Sequence, residues 1–379
     1  MRFDGRAVTE LMARMGHEQL VLVADRATEL RAVIAVHSTA LGPSLGGVRF
    51  WRYADDRDAL LDALRLSEAM TLKAAAAGLH QGGGKAVVLW DDPERPRSEG
   101  LLRALGRAID ELGGRYLAAE DVGATEADMS GIALETPWVT GVPVAEGGSG
   151  DPSPVTAHGV VHAMRAVCAE LDGDPSLAGR RVVVQGVGHV GAHLACQLAE
   201  HGAHVAVSDT RPDRVATLVE RLGVEPLADD RALTEPCDLL APCALGGVLN
   251  RDTIPRLRCR AVVGAANNQL ADVTGDDALA ARGILYAPDF VANAGGIINL
   301  AEEFTGYDRD RALARAAGIE ATTARVLALA RELGVGPGRA AETMARRRIE
   351  EEGRGRRWHP GDPAAWTSGA PLRRLRPVR

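Results

Sequence analysis

The segment that most restricts the fold is residues 180–210, RRVVVQGVGHVGAHLACQLAEHGAHVAVSDT. An apolar strand pattern leads into Gly186, Gly188 and Gly191, a helical pattern follows, and a second apolar pattern ends at Asp209. Strand, glycine turn, helix and strand in this order are the context in which a GxGxxG motif binds a dinucleotide. The segment therefore predicts a βαβ unit with a dinucleotide site at its glycine turn.

The residues around Asp209 indicate which dinucleotide binds. A carboxylate at the end of the second strand accepts hydrogen bonds from ribose hydroxyls, and its charge disfavours a 2′-phosphate. Arg211 and Arg214 act against this preference, because a nearby guanidinium can hold such a phosphate. On balance the sequence favours NAD over NADP.

The alternation of strands and helices continues beyond this segment. Apolar strand patterns recur at residues 237–242, 260–267 and 283–290, which predicts a parallel, doubly wound sheet. A chain of 379 residues exceeds what one core usually fills, and a stretch rich in Gly, Pro and Ser at 140–156 marks a boundary. The sequence thus predicts an α/β protein with two domains.

Composition excludes several classes of function. A formal net charge of −7 and an isoelectric point near 5.9 are not typical of proteins that bind nucleic acid. No apolar run reaches membrane-spanning length, and the charged N-terminal segment is unlike a signal peptide. The five cysteines show no CxxC spacing, so we expect neither disulfides nor a metal site. These features predict a cytoplasmic protein that binds neither nucleic acid nor membrane.

Lysine is almost absent from the chain. Of 44 lysines and arginines only Lys73 and Lys85 are lysines, and Gly82, Gly83 and Gly84 lie between them. A lysine that is buried or beside another cation can lose its proton, whereas an arginine effectively cannot. We therefore expect one lysine to stay charged and hold an anion and the other to act as a base, with the glycines letting the backbone approach a small substrate.

Eight stretches, in one order over roughly residues 25–350, resemble the motifs of the amino acid dehydrogenases that act on glutamate, leucine, phenylalanine and valine. They are GPSLGGVRF (42–50), MTLKAAAAGLHQGGGKAVV (70–88), AAEDVG (118–123), GDPSPVTAHGV (150–160), GVGHVG (186–191), APCALGG (241–247), GAANNQL (264–270) and YAPDFVANAGGIIN (286–299). The resemblance is closest to the leucine and valine dehydrogenases.

The resemblance implies a domain organisation. It implies an N-terminal α/β substrate domain over residues 1–142 and a Rossmann-type, doubly wound NAD domain over 143–335, with a cleft between them. A helix at 336–353 is expected to pack back on the first domain, and the Arg-, Pro- and Gly-rich residues 354–379 are expected to form a mobile tail. The resemblance also implies a homo-oligomer.

The resemblance assigns the chemistry to a few residues. Lys85 resembles the catalytic lysine that activates water, and Asp121 resembles the acid/base that carries a proton to the substrate nitrogen. Lys73 resembles the lysine that binds the substrate α-carboxylate, helped by the Gly46 backbone and by Asn268. Together with burial, the neighbouring Lys73 would lower the pKa of Lys85 towards working pH.

The cofactor-binding positions follow from the same motifs. Thr156 looks like the residue that meets the nicotinamide amide, and Asn268 is expected near the nicotinamide ribose. The full set implied for NAD is Thr156, Gly186, Val187, Gly188, Gly191, Asp209, Ala241, Cys243 and Asn268.

The expected substrate is an apolar amino acid. Glutamate members of the family carry a lysine where this chain has Leu45, and both lysines are already assigned to the backbone end of the substrate. The residues that resemble the side-chain pocket are Leu45, Ala119, Ile297 and Leu300, which suit valine, leucine or isoleucine. Two alternatives stay open: the same chemistry on an aromatic or specialised-pathway amino acid, and a catalytically silent dinucleotide-binding regulator.

Overall fold

The computed structural model describes residues 5–92 and 95–354, and these form two compact units. The first unit comprises the described residues up to Gly150, Leu300–Asp308, and those from Ala345 onward. The second comprises Asp151–Asn299 and Arg309–Met344. Each unit contains one sheet, so the predicted α/β class is confirmed.

The first unit has a mixed five-stranded sheet in the order β1-β2-β4-β3-β5. Its strands are β1 (Gln19–Asp25), β2 (Leu30–Ser38), β3 (Ser44–Trp51), β4 (Gly82–Leu89) and β5 (Tyr116–Glu120). β2 is antiparallel to both of its neighbours, whereas β3 runs parallel to β4 and β5. The parallel arrangement brings the ends of β3, β4 and β5 to one edge of the sheet.

The helices of the first unit cover both faces of this sheet. They are α1 (Gly5–Met15), α2 (Asp56–Ala76), α3 (Glu99–Asp110) and α4 (Glu126–Ala133). α3 and α4 pack on the face that carries Val48, Ala86 and Ala118. α2 packs on the opposite face, which carries Val33 and Val87. Because side chains alternate along a strand, the odd-numbered residues of β3, β4 and β5 share the α2 face.

The second unit has a six-stranded sheet, parallel throughout, in the order β11-β10-β9-β6-β7-β8. Its strands are β6 (Arg181–Gln185), β7 (His204–Ser208), β8 (Glu225–Pro226), β9 (Cys237–Pro242), β10 (Cys259–Val262) and β11 (Leu285–Tyr286). The chain adds strands outward from β6 in one direction and from β9 in the other. Open α/β sheets bind ligands where the strand order reverses in this way.

The remaining helices begin in the second unit. They are α5 (Ser153–Asp172), α6 (His189–Glu200), α7 (Pro212–Leu222), α8 (Thr274–Ala281), α9 (Asp289–Ala292), α10 (Gly295–Glu302), α11 (Arg309–Ala317), α12 (Ile319–Leu333) and α13 (Pro337–Gly353). Short 3-10 turns lie at Val144–Glu146, Asp229–Arg231, Ile254–Arg256 and Glu303–Thr305. No helix in the described part of the chain has the length and apolar character needed to cross a membrane.

The first unit extends past the expected boundary at residue 142. The Glu303 carboxylate accepts hydrogen bonds from the amides of Gly141 and Ser149, at 3.2 and 3.0 Å, and from the Ser149 hydroxyl. This buried carboxylate joins the segment before Gly150 to Leu300–Asp308, which explains why both belong to one unit.

The C-terminal helix also contacts the first unit. The guanidinium of Arg348 donates to the carbonyl of Ala75 at 2.9 Å, and Arg346 pairs with Glu68 at 3.0 Å. The division between units falls inside α13, after Met344, so only its second half belongs to the first unit. The expected tail at 354–379 lies, from residue 355 onward, outside the described residues.

Candidate active site

Lys85 and Asp121 form an ion pair in the first unit. Lys85 lies on β4, and Asp121 directly follows β5, so β3 separates their strands. Nζ of Lys85 lies 2.6 Å from Oδ2 of Asp121. Lys85 is only 3% exposed, whereas the Asp121 side chain is 22% exposed. The structure therefore brings together the two residues predicted to carry the proton chemistry.

Arg49 on β3 is a second cation at the same carboxylate. Its Nε lies 2.9 Å from Oδ2 of Asp121, the oxygen that Lys85 also binds. Its Nη1 lies 3.0 Å from Oδ2 of Asp62, which the Tyr53 hydroxyl approaches to 2.6 Å. Among the described residues, Oδ1 of Asp121 accepts no hydrogen bond, so both cations leave that oxygen open.

These contacts shift the pKa values of the pair. Burial lowers the pKa of Lys85 below its ordinary value; Asp121 opposes this shift, and Arg49 adds to it. Burial would raise the pKa of Asp121, but Lys85 and Arg49 outweigh burial and lower the pKa of this carboxyl. Arg49 is therefore a cation that lowers the pKa of Lys85, and the same influence of Lys73 stays a prediction.

The glycine run before Lys85 brings α2 against the sheet. Gly82, Gly83 and Gly84 are the first residues of β4. A Cβ at Gly83 would lie 2.1 Å from the backbone nitrogen of Thr71, two residues before Lys73 on α2. Cβ atoms at Gly82 and Gly84 would also collide with protein atoms. The structure therefore gives these glycines a packing role, because the protein itself fills the space that their side chains would occupy. That their backbone also approaches a substrate stays a prediction.

A second glycine pair on β3 makes room for the neighbouring strands. A Cβ at Gly46 would lie 1.7 Å from the carbonyl oxygen of Gly84, and one at Gly47 would lie 2.4 Å from Cβ of Asp121. The carbonyl of Gly46 accepts a hydrogen bond from Tyr116 at 2.8 Å. The glycine pair therefore fixes how closely Asp121 approaches β3.

The residues expected to line the side-chain pocket are divided between the units. Leu45 and Ala119 are buried in the first unit, on the same sheet face as Lys85 by strand alternation. Leu300 also belongs to the first unit, and its Cδ2 lies 3.7 Å from a Cβ built at Gly141. Ile297 is buried on α10 in the second unit.

The glycine turn of the second unit has the expected geometry. Gly186 follows β6 with φ +90° and donates its amide to the carbonyl of Ser208 at 2.8 Å. A Cβ at Gly191 would lie 2.0 Å from the carbonyl oxygen of Gly186, so the third glycine lets α6 pack on the turn. A Cβ at Gly188, by contrast, would approach only Nη1 of Arg214, at 3.7 Å.

Asp209 is tied to this turn. Its Oδ2 accepts the amide of Val187 at 2.8 Å, and its Oδ1 accepts the amide of Arg211 at 2.9 Å. Nη1 of Arg214 lies 3.7 Å from Oδ2, whereas the guanidinium of Arg211 pairs with Asp213 at 2.8 Å. The carboxylate is therefore held at the carboxyl end of β7, beside the glycine turn.

The other predicted cofactor residues lie within the second unit. Ala241 is buried on β9 opposite Val184 of β6, and the amide of Cys243 donates to the carbonyl of Gln185 at 2.7 Å. Burial raises the pKa of the Cys243 thiol to about 12, so this thiol stays protonated. Asn268 is exposed and adopts a left-handed backbone with φ +51°. Such a conformation is uncommon outside glycine, although Asn tolerates it.

Thr156 lies near the start of α5, against the first turn of α10. Its hydroxyl donates to the carbonyl of Pro152 at 2.9 Å. Cβ atoms at Gly295 and Gly296 would lie 2.8 Å from Cα and 2.9 Å from Oγ1 of Thr156. The two glycines therefore let α10 begin directly beside this threonine.

The residues at the turn fit a dinucleotide. No described side chain caps the N-terminus of α6, which begins after Gly188. The space beside Gly188 and the uncapped amides suit a pyrophosphate, since helix N-termini favour negative charge. The carboxylate of Asp209 supplies an acceptor for ribose hydroxyls. The residues present therefore suit the cofactor class that the GxGxxG motif predicted.

Arg49, Asp62 and Tyr53 are the functional candidates that sequence reasoning missed. One signal was present: Arg49 is the single charged residue in the β3 sequence SLGGVRFW, and it lies two residues after the glycine pair. A charged residue inside a buried strand requires a partner, which predicts a nearby carboxylate.

Family models and known proteins that are similar to this chain agree with the ion pair and the glycine turn described above. The family model described as "Glu/Leu/Phe/Val dehydrogenase, dimerisation domain" matches residues 17–138, and "Glutamate/Leucine/Phenylalanine/Valine dehydrogenase" matches 147–212 and 211–307. A valine dehydrogenase from Streptomyces albus is 52% identical over 89% of this chain and 93% of its own length. A leucine dehydrogenase from Thermoactinomyces intermedius is 47% identical over 90% of this chain and 93% of its own.

A solved structure of an amino acid dehydrogenase is also similar to this chain. The crystal structure of L-tryptophan dehydrogenase from Nostoc punctiforme has a TM-score of 0.81 and 38% identity, and covers 91% of this chain and 99% of that one. The suspected resemblance is confirmed, and with it a dinucleotide cofactor of the NAD(P) class. The chain belongs to the glutamate, leucine, phenylalanine and valine dehydrogenase family and is an amino acid dehydrogenase.

Proposed function

We propose that the protein catalyses the reversible, NAD-dependent oxidative deamination of a branched-chain L-amino acid to its 2-oxo acid and ammonia. The observation that carries this proposal is the buried ion pair of Lys85 and Asp121, 2.6 Å apart. A lysine that is desolvated and close to a carboxylate has the two properties that acid–base catalysis near neutral pH requires.

The chain's own residues carry out the proton transfers. The nicotinamide cofactor, held by the residues of the glycine turn and by Thr156 and Asn268, would supply the acceptor for the hydride of the substrate α-carbon. Lys73, as an ammonium, holds the α-carboxylate. Lys85 removes a proton from the water that adds to the imine carbon, and Asp121 carries a proton to the nitrogen that leaves as ammonia. The water oxygen becomes the keto oxygen of the product.

The electrostatics of the pair suit these roles. The lowered pKa of Lys85 makes deprotonation possible nearer to neutral pH than for an exposed lysine. The lowered pKa of Asp121 keeps its carboxylate ionised, so it is able to accept a proton during the reaction. Oδ1, which accepts no hydrogen bond among the described residues, is the oxygen left to do so.

An aliphatic substrate is supported by Leu45. This buried leucine stands where the glutamate members carry a side-chain-binding lysine, and a buried apolar residue offers no partner to a second carboxylate. Relatives named valine and leucine dehydrogenase share up to 52% identity, against 38% for the structure named tryptophan dehydrogenase. An aromatic substrate is therefore the second candidate.

Asp209 supports NAD rather than NADP. Its carboxylate is held by two backbone amides beside the turn, where it would repel a 2′-phosphate. A homo-oligomer is supported by the description of the matching N-terminal family model as a dimerisation domain. Light scattering after size-exclusion chromatography measures the oligomeric state directly.

The test measures NADH formation with valine, leucine, isoleucine, phenylalanine, tryptophan and glutamate, and repeats the best substrate with NADP. We expect highest kcat/KM for a branched-chain substrate with NAD. Phenylalanine or tryptophan well above valine and leucine would contradict the branched-chain assignment. Turnover of no amino acid would support the silent regulator instead.

The matched variants Lys85→Arg and Lys73→Arg test the two lysine roles. Both keep a positive charge, but only the first removes a base, since arginine does not deprotonate. We expect Lys85→Arg to lower kcat by roughly 10²–10⁴-fold, and Lys73→Arg to act mainly on the KM for the amino acid. Near-normal turnover by Lys85→Arg would overturn the mechanism.

A further inference from the structure

Arg49 contacts the reacting carboxylate without a place in the mechanism above. It shares Oδ2 of Asp121 with Lys85, at 2.9 and 2.6 Å respectively. Its side chain is 20% exposed, so solvent screens its charge only in part. Such a contact affects both the direction in which Asp121 points and the field at Lys85.

The surroundings hold Arg49 in one orientation. While Nε binds Asp121, Nη1 binds Asp62 at 3.0 Å. Asp62 in turn accepts hydrogen bonds from the Tyr53 hydroxyl at 2.6 Å and from Arg65 at 2.7 Å. A planar guanidinium is able to bridge two carboxylates in this way, whereas a lysine ammonium is a point charge on a flexible chain.

The shared oxygen has two consequences. Because both cations bind Oδ2, the carboxylate is pinned with Oδ1 open. Because both cations lie against one atom, they repel each other, and Arg49 cannot relieve the repulsion by losing a proton. Deprotonation of Lys85 is the only change of charge that relieves it.

We propose that Arg49 is a positioning residue for the reaction: it fixes Oδ2 of Asp121, leaves Oδ1 to exchange the substrate proton, and promotes release of the proton from Lys85. This inference rests on the proposed function. In sequence, Arg49 is three residues from Gly46, the nearest residue to which a role was assigned above. It acts through Asp121 and Lys85 rather than on the substrate.

The direction of the expected effect follows from the charges around Lys85. The groups bonded within this cluster are Asp121 after β5, Arg49 on β3, Tyr53 after β3, and Asp62 and Arg65 on α2. Asp121 and Asp62 raise the pKa of Lys85, whereas burial and Arg49 lower it. Loss of the Arg49 charge therefore moves the titration of Lys85 to higher pH.

The first experiment measures kcat/KM against pH for Arg49→Gln, Arg49→Lys and a matched control. We expect Arg49→Gln to move the midpoint of the rising limb upward by roughly one pH unit, so that activity lost near neutral pH partly returns at alkaline pH. Arg49→Lys keeps the charge, so its midpoint stays near that of the unaltered protein. Its kcat is lower, because one ammonium is unable to bridge both carboxylates.

The control is Arg103→Gln, which removes an arginine that also bridges two carboxylates of the first unit. Arg103 lies 3.1 Å from Glu99 and 3.2 Å from Glu135, and it belongs to α3 on the opposite sheet face. We expect its loss to leave the pH midpoint unchanged. If Arg49→Gln lowers activity equally at every pH, its role is structural and the proposal is overturned.

The second experiment titrates Lys85 without turnover. Because Lys73 and Lys85 are the only lysines, trace acetic anhydride has few amines to modify, and mass spectrometry resolves each lysine. Acetylation rates across pH, relative to an added amine of known pKa, give the titration midpoint of Lys85. We expect a higher midpoint in Arg49→Gln than in the unaltered protein and Arg103→Gln; equal midpoints would overturn the proposal.

Failure of the proposed function and failure of the role proposed for Arg49 give different results. If the unaltered protein oxidises no amino acid, the proposed function fails, yet the acetylation experiment still reports whether Arg49 controls Lys85. If Arg49→Gln does not fold, as judged by its thermal unfolding, Arg49→Lys decides the outcome. Unaltered kcat/KM of Arg49→Lys at all pH values would then overturn the proposal.

Discussion

Two glycine-rich segments, residues 82–84 and 186–191, look alike in sequence and have opposite uses in the structure. At Gly83 an added Cβ would lie 2.1 Å from a backbone nitrogen, whereas at Gly188 it would meet a single guanidinium nitrogen at 3.7 Å. The first segment lacks side chains because the protein fills the space. The second leaves space beside one glycine, which is what a ligand requires. A run of glycines therefore does not by itself mark a binding site.

The difference also explains how the first segment supports catalysis. The contact at Gly83 places α2, which carries Lys73, directly on β4, which carries Lys85. The two lysines are thus positioned by packing between a helix and a strand. The dinucleotide turn is positioned by local hydrogen bonds at Val187 and Gly186.

Gly83→Ala is the strongest test of this comparison. The added methyl group would collide with the backbone of α2 at Thr71, so we expect a loss of about 3 kcal/mol or more in the free energy of unfolding. Urea unfolding followed by tryptophan fluorescence reports this loss, because Trp51, Trp90 and Trp138 belong to the first unit. Gly78→Ala is the control: Gly78 has φ +72° and no neighbour within 4 Å, so its cost is about 1 kcal/mol. Equal costs for both variants would contradict the packing role of Gly83.

Acid should weaken the same contact, because two buried histidines bind the α2 residues that Gly83 approaches. Nε2 of His17 lies 2.9 Å from the Ser67 hydroxyl, Nδ1 of His37 lies 2.8 Å from the Thr71 hydroxyl, and the two rings are 4.7 Å apart. Burial, followed by the charge of His37, lowers the pKa of His17 from 6.5 to about 4, and burial lowers the pKa of His37. Both imidazoles are therefore neutral in the folded protein at pH 7.

The direction in which acid changes the free energy of unfolding follows from these two pKa shifts. Below pH 6.5 the unfolded chain binds protons that folded His17 does not, so stability is complete above pH 6.5 and falls towards pH 4. For His17 the full loss is about 3 kcal/mol. We expect His17→Gln to flatten the dependence of urea unfolding on pH, while His204→Gln, at an exposed histidine of the second unit, leaves it unchanged. A free energy of unfolding that is constant between pH 7.5 and 5 would rule out this coupling.

Gly188→Ala should produce the smallest change in stability. Its backbone lies at φ −70°, which alanine adopts readily, and no protein atom blocks the methyl group. We expect the free energy of unfolding to change by less than ~1 kcal/mol, while the Kd for NAD, measured by calorimetry, rises about tenfold, equivalent to ~1.4 kcal/mol. Unaltered NAD affinity would show that the space beside Gly188 does not hold the pyrophosphate.

The dinucleotide turn was predictable because its elements are contiguous. Strand, turn, helix and acidic residue lie within residues 181–209, so periodicity and glycine spacing were sufficient to place Asp209 beside the turn. The family resemblance extended this to the first unit and assigned the proton chemistry to Lys85 and Asp121.

Two features depended on distant contacts and were not predictable. Arg49 is one of 44 basic residues, and its partner Asp121 lies 72 positions along the chain. The steric role of Gly83 depends on Thr71, which only the packing of α2 on β4 brings close.

The Glu303 carboxylate has a practical consequence for anyone who wishes to study the substrate-side unit alone. A shortened chain that ends at residue 150 would lack Glu303 and would leave the amides of Gly141 and Ser149 without their acceptor. It would also lack Arg348, which donates to the last turn of α2. A single-chain fragment of this unit needs Leu300–Asp308 and the second half of α13 grafted onto residue 150 by linkers, because the unit is assembled from three separate parts of the chain.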